Sequence, residues 1–224
     1  MIQKFIYHTS QSKLLLFFAG WGANEMLFPD TPPEGYDLML CYDYTDACFD
    51  YSLLTPYKEV RLMAWSLGVW SAATTLTGQN LSFSECIAVN GTPSPIDDLY
   101  GIPSAVFEGT LLKFNETTLH KFRRRMCGSS QSLQSFLERV PSRTTESLHQ
   151  ELQALFNRIK ANAVSNDFHW DKAIIGASDM IFPSANQQKA WSGIPQLILP
   201  NTPHYSQALF SDLISGKEEL WTRL

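Results

Sequence analysis

Residues 60–78 read VRLMAWSLGVWSAATTLTG, and two apolar patterns meet there at one serine. The run before Ser66 is typical of a buried strand, and the run after it is typical of an apolar helix ended by Gly78. Ser66 therefore lies on a sharp strand-to-helix turn, between the small residues Ala64 and Gly68. Such a turn lifts a hydroxyl clear of the sheet, where it can act as a nucleophile. From this stretch alone, a plain turn serine is an equal alternative.

Short apolar runs recur along the chain between turn signals, and several are apolar throughout rather than alternating. Continuous apolar runs are expected of parallel strands covered on both faces. Helical patterns separate them, so the chain is predicted to have an α/β fold with a mostly parallel, doubly wound sheet. The predicted strands are Phe5–His8, Leu14–Ala19, Leu38–Tyr42, Val60–Trp65, Cys86–Asn90, Lys172–Gly176 and Gln196–Leu199, and the predicted helices between them are Leu67–Thr77, Ser184–Trp191 and Ser206–Ile214.

One long segment, residues 104–165, interrupts the alternation, because its periodicity is helical throughout. We interpret it as an all-helical cap inserted into a single domain, whose core consists of residues 1–103 and 166–224. The helices predicted within the cap are one that begins at Asn115 and Glu116, a second at Ser132–Arg139 and a third at Thr145–Ala161.

Composition narrows the possible functions. Hydrophobic residues make up 44% and charged residues 17% of the 224, which indicates a globular chain, and a net charge of −5 argues against nucleic-acid binding. The four cysteines lie far apart with no C-x-x-C pair, so we expect buried free thiols and neither a metal site nor disulfides. The apolar run 14–19 is far shorter than the ~20 residues that span a bilayer. We therefore expect a cytoplasmic monomer that needs no cofactor and binds no membrane.

The charge is unevenly distributed between the two predicted regions. Residues 104–165 hold nine basic and five acidic residues, a net charge of +4. The remainder of the chain holds eight basic and seventeen acidic residues, a net charge of −9. A basic cap on an acidic core is consistent with the binding of an acidic partner, and a solvated basic face is the simpler alternative.

Two further groups fit a role beside Ser66. The loop ASDMIFP after the strand at 172–176 contains Asp179, and the loop PNTPHY after the strand at 196–199 contains His204. Open α/β sheets carry their functional groups at these strand ends, and the order serine, acid, histidine is that of an α/β-hydrolase. Taken alone, Asp179 could be a carboxylate at a helix N-terminus, and His204 could be a histidine in a surface loop. Asp97 and Asp98 are alternatives to Asp179 as the acid that orients the histidine, because they follow the preceding strand, where some hydrolases carry this acid.

Glycines also flank a tryptophan directly after the longest apolar strand, in the sequence FAGWG at 18–22. In hydrolases the loop after this strand supplies one donor for the oxyanion, and the residue after the serine supplies the other. The backbone N–H groups of Trp21 and Leu67 are therefore the predicted oxyanion hole. A glycine turn with a buried tryptophan is the alternative.

These motifs together resemble the pimeloyl-[acyl-carrier protein] methyl ester esterases of biotin synthesis, which have the α/β-hydrolase fold. The GWG loop, the WSLG turn, the GASDMIFP acid loop and the late histidine carry the resemblance, which runs from about residue 10 to the C-terminus. The segment VNGTPSPIDD at 89–98, followed by GIP at 101–103, is similar to the shorter BioG type. Ala64 in place of the first elbow glycine, and Ala19 where many hydrolases have histidine, depart from the pattern.

The resemblance implies a serine esterase that uses Ser66, Asp179 and His204 to release methanol from a methyl ester carried by an acidic acyl carrier protein. It also implies that Phe122 lines the acyl channel, with Trp21 as a wall of the pocket. Arg123, Arg124 and Arg125 are then the candidate docking residues, and at least two of them are expected to face outward, since successive helical residues turn by about 100°.

Two other functions fit the same residues. A thioesterase or a broad short-chain esterase would use the same three catalytic groups. A non-catalytic hydrolase fold that serves as a binding module is the alternative from a different class.

Overall fold

A seven-stranded sheet forms the centre of the protein, in the order β1-β3-β2-β4-β5-β6-β7. The structure, a computed structural model, describes residues 1–140, 143–162 and 168–222. Within these ranges the strands are parallel, except that β1 runs antiparallel to β3. The predicted mostly parallel sheet is therefore confirmed. The strands are β1 (Ile2–Tyr7), β2 (Lys13–Phe18), β3 (Tyr36–Tyr42), β4 (Glu59–Trp65), β5 (Glu85–Val89), β6 (Lys172–Gly176) and β7 (Gln196–Leu199).

The strand register brings the functional loops to one edge of the sheet. Phe18 at the end of β2 pairs with Ala64 of β4, and Val89 at the end of β5 pairs with Trp65. Gly176 at the end of β6 pairs in the same way with the last residue of β7. Because parallel strands end level at their carboxyl side, the loops that follow β2, β4, β5, β6 and β7 gather at this edge.

Helices flank the sheet, and four of them, α2 to α5, lie between β5 and β6 in the chain. The third predicted cap helix matches α5, and the first matches α3, where Asn115 and Thr118 form a reciprocal capping box. The boundary between residues 165 and 166, and the break predicted at Pro141, lie outside the described residues. The helices are α1 (Leu67–Leu76), α2 (Ser104–Leu112), α3 (Glu116–Cys127), α4 (Ser130–Leu137), α5 (Thr145–Ala161), α6 (Ser184–Ala190), α7 (Gln207–Ile214) and α8 (Glu218–Trp221).

A buried carboxylate fastens α5 to the sheet beside the loop after β2. Glu151 accepts hydrogen bonds from the N–H of Tyr44 at 3.0 Å and the N–H of Gly22 at 3.3 Å, and it pairs with Arg143 at 2.5 Å. Arg143 also contacts Asp43 at 3.3 Å. Burial raises the pKa of Glu151, and the guanidinium of Arg143 opposes that shift. Two of the cap's charges are thus used to hold α5 in place.

The cysteines follow the sequence prediction with one exception. All four are free; Cys41, Cys86 and Cys127 are buried, whereas Cys48 is exposed. Among the residues that the structure describes, no helix is both long enough and apolar enough to cross a membrane.

Candidate active site

Ser66 lies between β4 and α1 in a backbone conformation that non-glycine residues seldom adopt, with φ 61° and ψ −131°. The turn is tight because α1 begins directly against the end of β2. A side chain on Gly68 would come within 2.4 Å of the carbonyl oxygens of Phe18 and Ala19, so only glycine permits this approach. The turn therefore holds the Ser66 hydroxyl at the carboxyl edge of the sheet.

A continuous hydrogen-bonded chain links the three candidate catalytic side chains. The Ser66 Oγ lies 2.9 Å from His204 Nε2, and His204 Nδ1 lies 2.8 Å from Asp179 Oδ2. Ser66, Asp179 and His204 are exposed by only 6%, 7% and 1%, so solvent does not compete for these bonds. With the Nδ1–H donating to Asp179, Nε2 is free to accept the serine proton. This arrangement can activate a serine for attack on a carbonyl carbon.

Four donors fix the Asp179 carboxylate. Its Oδ1 accepts from the N–H groups of Ile181 at 2.8 Å and Phe182 at 2.9 Å. Its Oδ2 accepts from Gln187 Nε2 at 2.9 Å as well as from His204. Gln187 was not predicted from sequence, because a glutamine on a short helix carries no signal that it faces an acid.

The two alternative acids, Asp97 and Asp98, accept hydrogen bonds from nearby backbone N–H groups. Asp97 Oδ1 accepts from the N–H groups of Leu99 and Tyr100, at 2.8 and 2.9 Å. Asp98 Oδ1 accepts from the N–H of Ser104 at 2.7 Å, at the start of α2. Both carboxylates are local turn and cap acceptors, so Asp179 is the acid that contacts the histidine.

The histidine loop is held by Asn90, which follows β5 with φ 45°. Asn90 Nδ2 donates to the carbonyl of His204 at 2.9 Å and to that of Pro203 at 3.2 Å. Its Oδ1 accepts from the N–H of Gly176 at 2.7 Å, and Trp65 Nε1 also donates to the His204 carbonyl at 3.0 Å. Asn90 therefore ties the ends of β5 and β6 to the loop that carries His204.

Two unused backbone donors lie beside Ser66. A side chain on Gly20 would come within 3.1 Å of Ser66 Cβ, so the loop that carries Trp21 passes directly by the serine. Leu67 is the first residue of α1, and its N–H has no acceptor within the helix. Across the described residues, neither the Trp21 N–H nor the Leu67 N–H donates to a protein acceptor. Both are available to an oxyanion.

An apolar cavity of about 590 Å³, including its open mouth, leads to Ser66. Trp21 and Phe122 meet edge to face at 5.1 Å and form one wall. A second cavity, of about 320 Å³ including its open mouth, lies behind that wall. A mostly apolar lining with few polar groups is typical of a site that binds an apolar chain. The first is lined by Trp21, Trp65, Ser66, Leu67, Ile102, Val106, Phe107, Thr110, Phe122, Arg125, Met126, Leu152, Met180, Ile181 and His204.

The three consecutive arginines of α3 point in three directions. Arg124 is exposed, whereas Arg123 and Arg125 are half-buried. Arg123 lines the second cavity 6.0 Å from the ring centre of Phe136, and burial lowers its pKa. Arg125 lines the cavity that reaches Ser66. Of the three arginines, one rather than two is thus exposed.

Comparison with known proteins identifies relatives of the whole chain. Residues 1–213 match the family described as "Pimeloyl-ACP methyl esterase BioG". A Malonyl-[acyl-carrier protein] O-methyltransferase of Bacteroides fragilis is 51% identical over 181 residues, which are 81% of this chain but 37% of that protein. The chain thus spans little more than a third of that relative's length.

Solved structures agree with the family match. The crystal structure of BioG from Haemophilus influenzae superposes with a TM-score of 0.89 at 38% identity, covering 99% of this chain and 100% of that one. An esterase from Exiguobacterium antarcticum has a TM-score of 0.64 at 15% identity, covering 90% of this chain and 87% of that one, so it shares the fold. The predicted α/β-hydrolase fold is confirmed, and the chain belongs to the BioG family.

Proposed function

We propose that this protein hydrolyses the methyl ester of pimeloyl-[acyl-carrier protein], with Ser66, His204 and Asp179 as its catalytic triad. The observation that carries the proposal is the buried hydrogen-bonded chain of 2.9 and 2.8 Å from Ser66 through His204 to Asp179. The family's description supports this substrate. The apolar cavity that ends at Ser66 supports an acyl chain as the bound group.

The first half of the reaction transfers the acyl group to the enzyme. Ser66 Oγ attacks the ester carbonyl while His204 Nε2 takes its proton, and Asp179 holds the imidazole in the required tautomer. The N–H groups of Trp21 and Leu67 donate to the oxyanion of the tetrahedral intermediate. When that intermediate collapses, His204 returns the proton to the methoxide, which leaves as methanol.

The second half restores the serine. Water enters the position vacated by methanol, and His204 Nε2 accepts its proton as the oxygen attacks the acyl-enzyme. Collapse of the second intermediate breaks the bond to Ser66 Oγ, which recovers its proton and releases the carboxylic acid. Trp21 and Phe122 lie along the acyl chain and hold its ester against the serine, which orients the reacting atoms.

An acyl carrier protein is the proposed partner. The family description and the name of the Bacteroides fragilis relative both contain a carrier protein, which supports this choice. Arg124 is the exposed arginine of α3, so we assign the docking contact to it first. Arg123 and Arg125 add positive potential to the same helix, while other cap charges pair internally, as Lys160 does with Glu108 at 3.2 Å.

The docking assignment is tested with Arg124→Glu and, as control, Lys58→Glu, since Lys58 is exposed at the start of β4, on the opposite edge of the sheet. Docking through Arg124 predicts that kcat/KM for the carrier-bound ester falls at least about tenfold more than kcat/KM for a small methyl ester. The difference between the losses on the two substrates should become smaller in high salt, because salt screens exposed charges. Equal losses on both substrates, or an equal effect of Lys58→Glu, would contradict the assignment.

The reaction itself is tested by intact-mass analysis of a carrier protein loaded with the methyl ester of pimelate. The proposal predicts a loss equal to one methylene, since a methyl group is replaced by hydrogen and the thioester stays intact. Loss of the whole acyl group would identify a thioesterase. No change in mass would overturn the proposal. Ser66→Ala serves as the control for nonenzymatic hydrolysis.

A further inference from the structure

A guanidinium without a partner lines the cavity that ends at Ser66. Arg125 is half-buried in the last turn of α3, and it lines the same cavity as Ser66, Phe122 and Met180. Among the described residues it makes no ion pair and donates no hydrogen bond to a protein acceptor. Arg143, on the same cap, shows the contrast, because it pairs with two carboxylates.

The other side-chain donors around this cavity are already in use. Trp21 Nε1 donates to the carbonyl of Leu148 at 2.9 Å, and Trp65 Nε1 donates to that of His204 at 3.0 Å. The Thr110 hydroxyl donates to the carbonyl of Val106 at 2.8 Å. Apart from the catalytic groups, Arg125 is therefore the side chain in this lining with donors left for a ligand.

A cation that faces an apolar cavity has lost part of its hydration and gains most from an oxygen acceptor on the ligand. The planar fork of a guanidinium matches a carboxylate, to which it can donate two parallel hydrogen bonds. The negative end of the helix dipole attracts Arg124 as well as Arg125. It therefore does not explain why Arg125 lines the cavity and Arg124 does not.

We propose that Arg125 binds the oxygen acceptor at the far end of the acyl chain, and that free monomethyl esters of straight-chain dicarboxylic acids are therefore substrates. The proposal rests on the esterase function proposed above. The acceptor is a free carboxylate in these esters and a thioester carbonyl in a carrier-bound chain. The reaction is the same hydrolysis: Ser66 Oγ replaces methoxide, methanol leaves with the proton from His204, and water then releases the dicarboxylic acid.

The test compares two series of methyl esters of increasing chain length, one ending in a carboxylate and the other in a methyl group. The readout is the ratio of kcat/KM between acid and neutral esters of equal length. The proposal predicts a ratio above one that peaks at one length in the wild type. In Arg125→Met the ratio should fall by about 10- to 100-fold, as expected for a lost charge-assisted pair, and in Arg125→Lys by less.

Lys121→Met is the matched control, because it removes an exposed charge from the same helix outside the cavity, and it should keep the wild-type ratio. Assaying Arg125→Met on the carrier-bound ester as well distinguishes the two acceptors, the carboxylate and the thioester carbonyl. If kcat/KM falls for the free acids alone, Arg125 binds carboxylates and not the thioester carbonyl. A wild type that cleaves neutral esters without preference, or an Arg125→Met variant with the wild-type ratio, would overturn the inference while the esterase function stands. No hydrolysis in either series would overturn this inference and count against the esterase function itself.

Discussion

Asn90→Asp replaces the amide that holds the histidine loop with a carboxyl of the same shape. The new group keeps one oxygen for the N–H of Gly176, which Asn90 binds at 2.7 Å. Its other oxygen faces the carbonyls of His204 and Pro203, which now accept from Nδ2 at 2.9 and 3.2 Å. An ionised carboxylate would repel both, so the folded state must protonate it.

The need to protonate the new carboxyl lowers the free energy of unfolding of the variant. Holding an aspartic acid protonated at neutral pH costs about 4 kcal/mol, because neutral pH is about three units above its ordinary pKa. A carboxylic acid can donate to one carbonyl only, so the lost second bond adds about 1 kcal/mol. The pKa of the new carboxyl is higher in the folded state than in the unfolded state. The variant is therefore most stable below the ordinary pKa of aspartate, and it loses stability as the pH rises above that value.

Urea unfolding, followed by tryptophan fluorescence at several pH values, measures this loss. We expect Asn90→Asp to unfold about 5 kcal/mol more easily than the wild type near pH 7, and the deficit to shrink by about 1.4 kcal/mol per pH unit toward pH 5. Turnover should fall about tenfold or more, because the His204 loop loses its position. Asn201→Asp is the control, since Asn201 has a similar φ of 56° and is exposed. A deficit that does not change with pH would refute this reasoning.

Three further outcomes are expected. Gln187→Leu should lower kcat more than it raises KM, about tenfold in kcat, because Asp179 loses one donor that fixes it; an unchanged kcat would limit Gln187 to packing. Arg143→Met should destabilise the fold by about 3 to 5 kcal/mol in urea unfolding, since Glu151 is left buried and unpaired, and Arg143→Met with Glu151→Gln should recover part of the loss. A thiol reagent should modify Cys48 alone in the native protein, because burial raises the pKa of the other three thiols; rapid modification of a second thiol would show otherwise.

Local patterns in the sequence predicted most of the sheet and the position of the three catalytic candidates. The strands are continuous apolar runs, and the turn at Ser66 is marked by neighbouring residues, so both are readable over a short window. The capped start of α3 is equally local, since Asn115 and Thr118 bond to each other. By contrast, α2 was predicted only as part of the helical segment and not as a separate helix, because its apolar residues are spread around the helix and Gly109 interrupts it.

The supporting residues could not be predicted, because their partners are distant in the chain. Glu151 bonds to Gly22 across 129 residues, and Asn90 bonds to the His204 carbonyl across 114. No local propensity distinguishes such a glutamate or asparagine from a solvated one. The orientation of Arg125 is decided in the same way, by the packing of α3 against α4 and the loop that carries Trp21 rather than by its position among three consecutive arginines.

The turnover of Ser66→Ala on the carrier-bound methyl ester tests the central claim most directly. Urea unfolding should first show that the variant folds like the wild type, since the change removes one oxygen. The account then predicts that loss of the methylene mass slows by about 10³-fold or more, as expected when a nucleophile is deleted from a catalytic triad. Conversion by Ser66→Ala at a rate near that of the wild type would show that this serine is a turn residue and that the hydrolysis is carried out elsewhere.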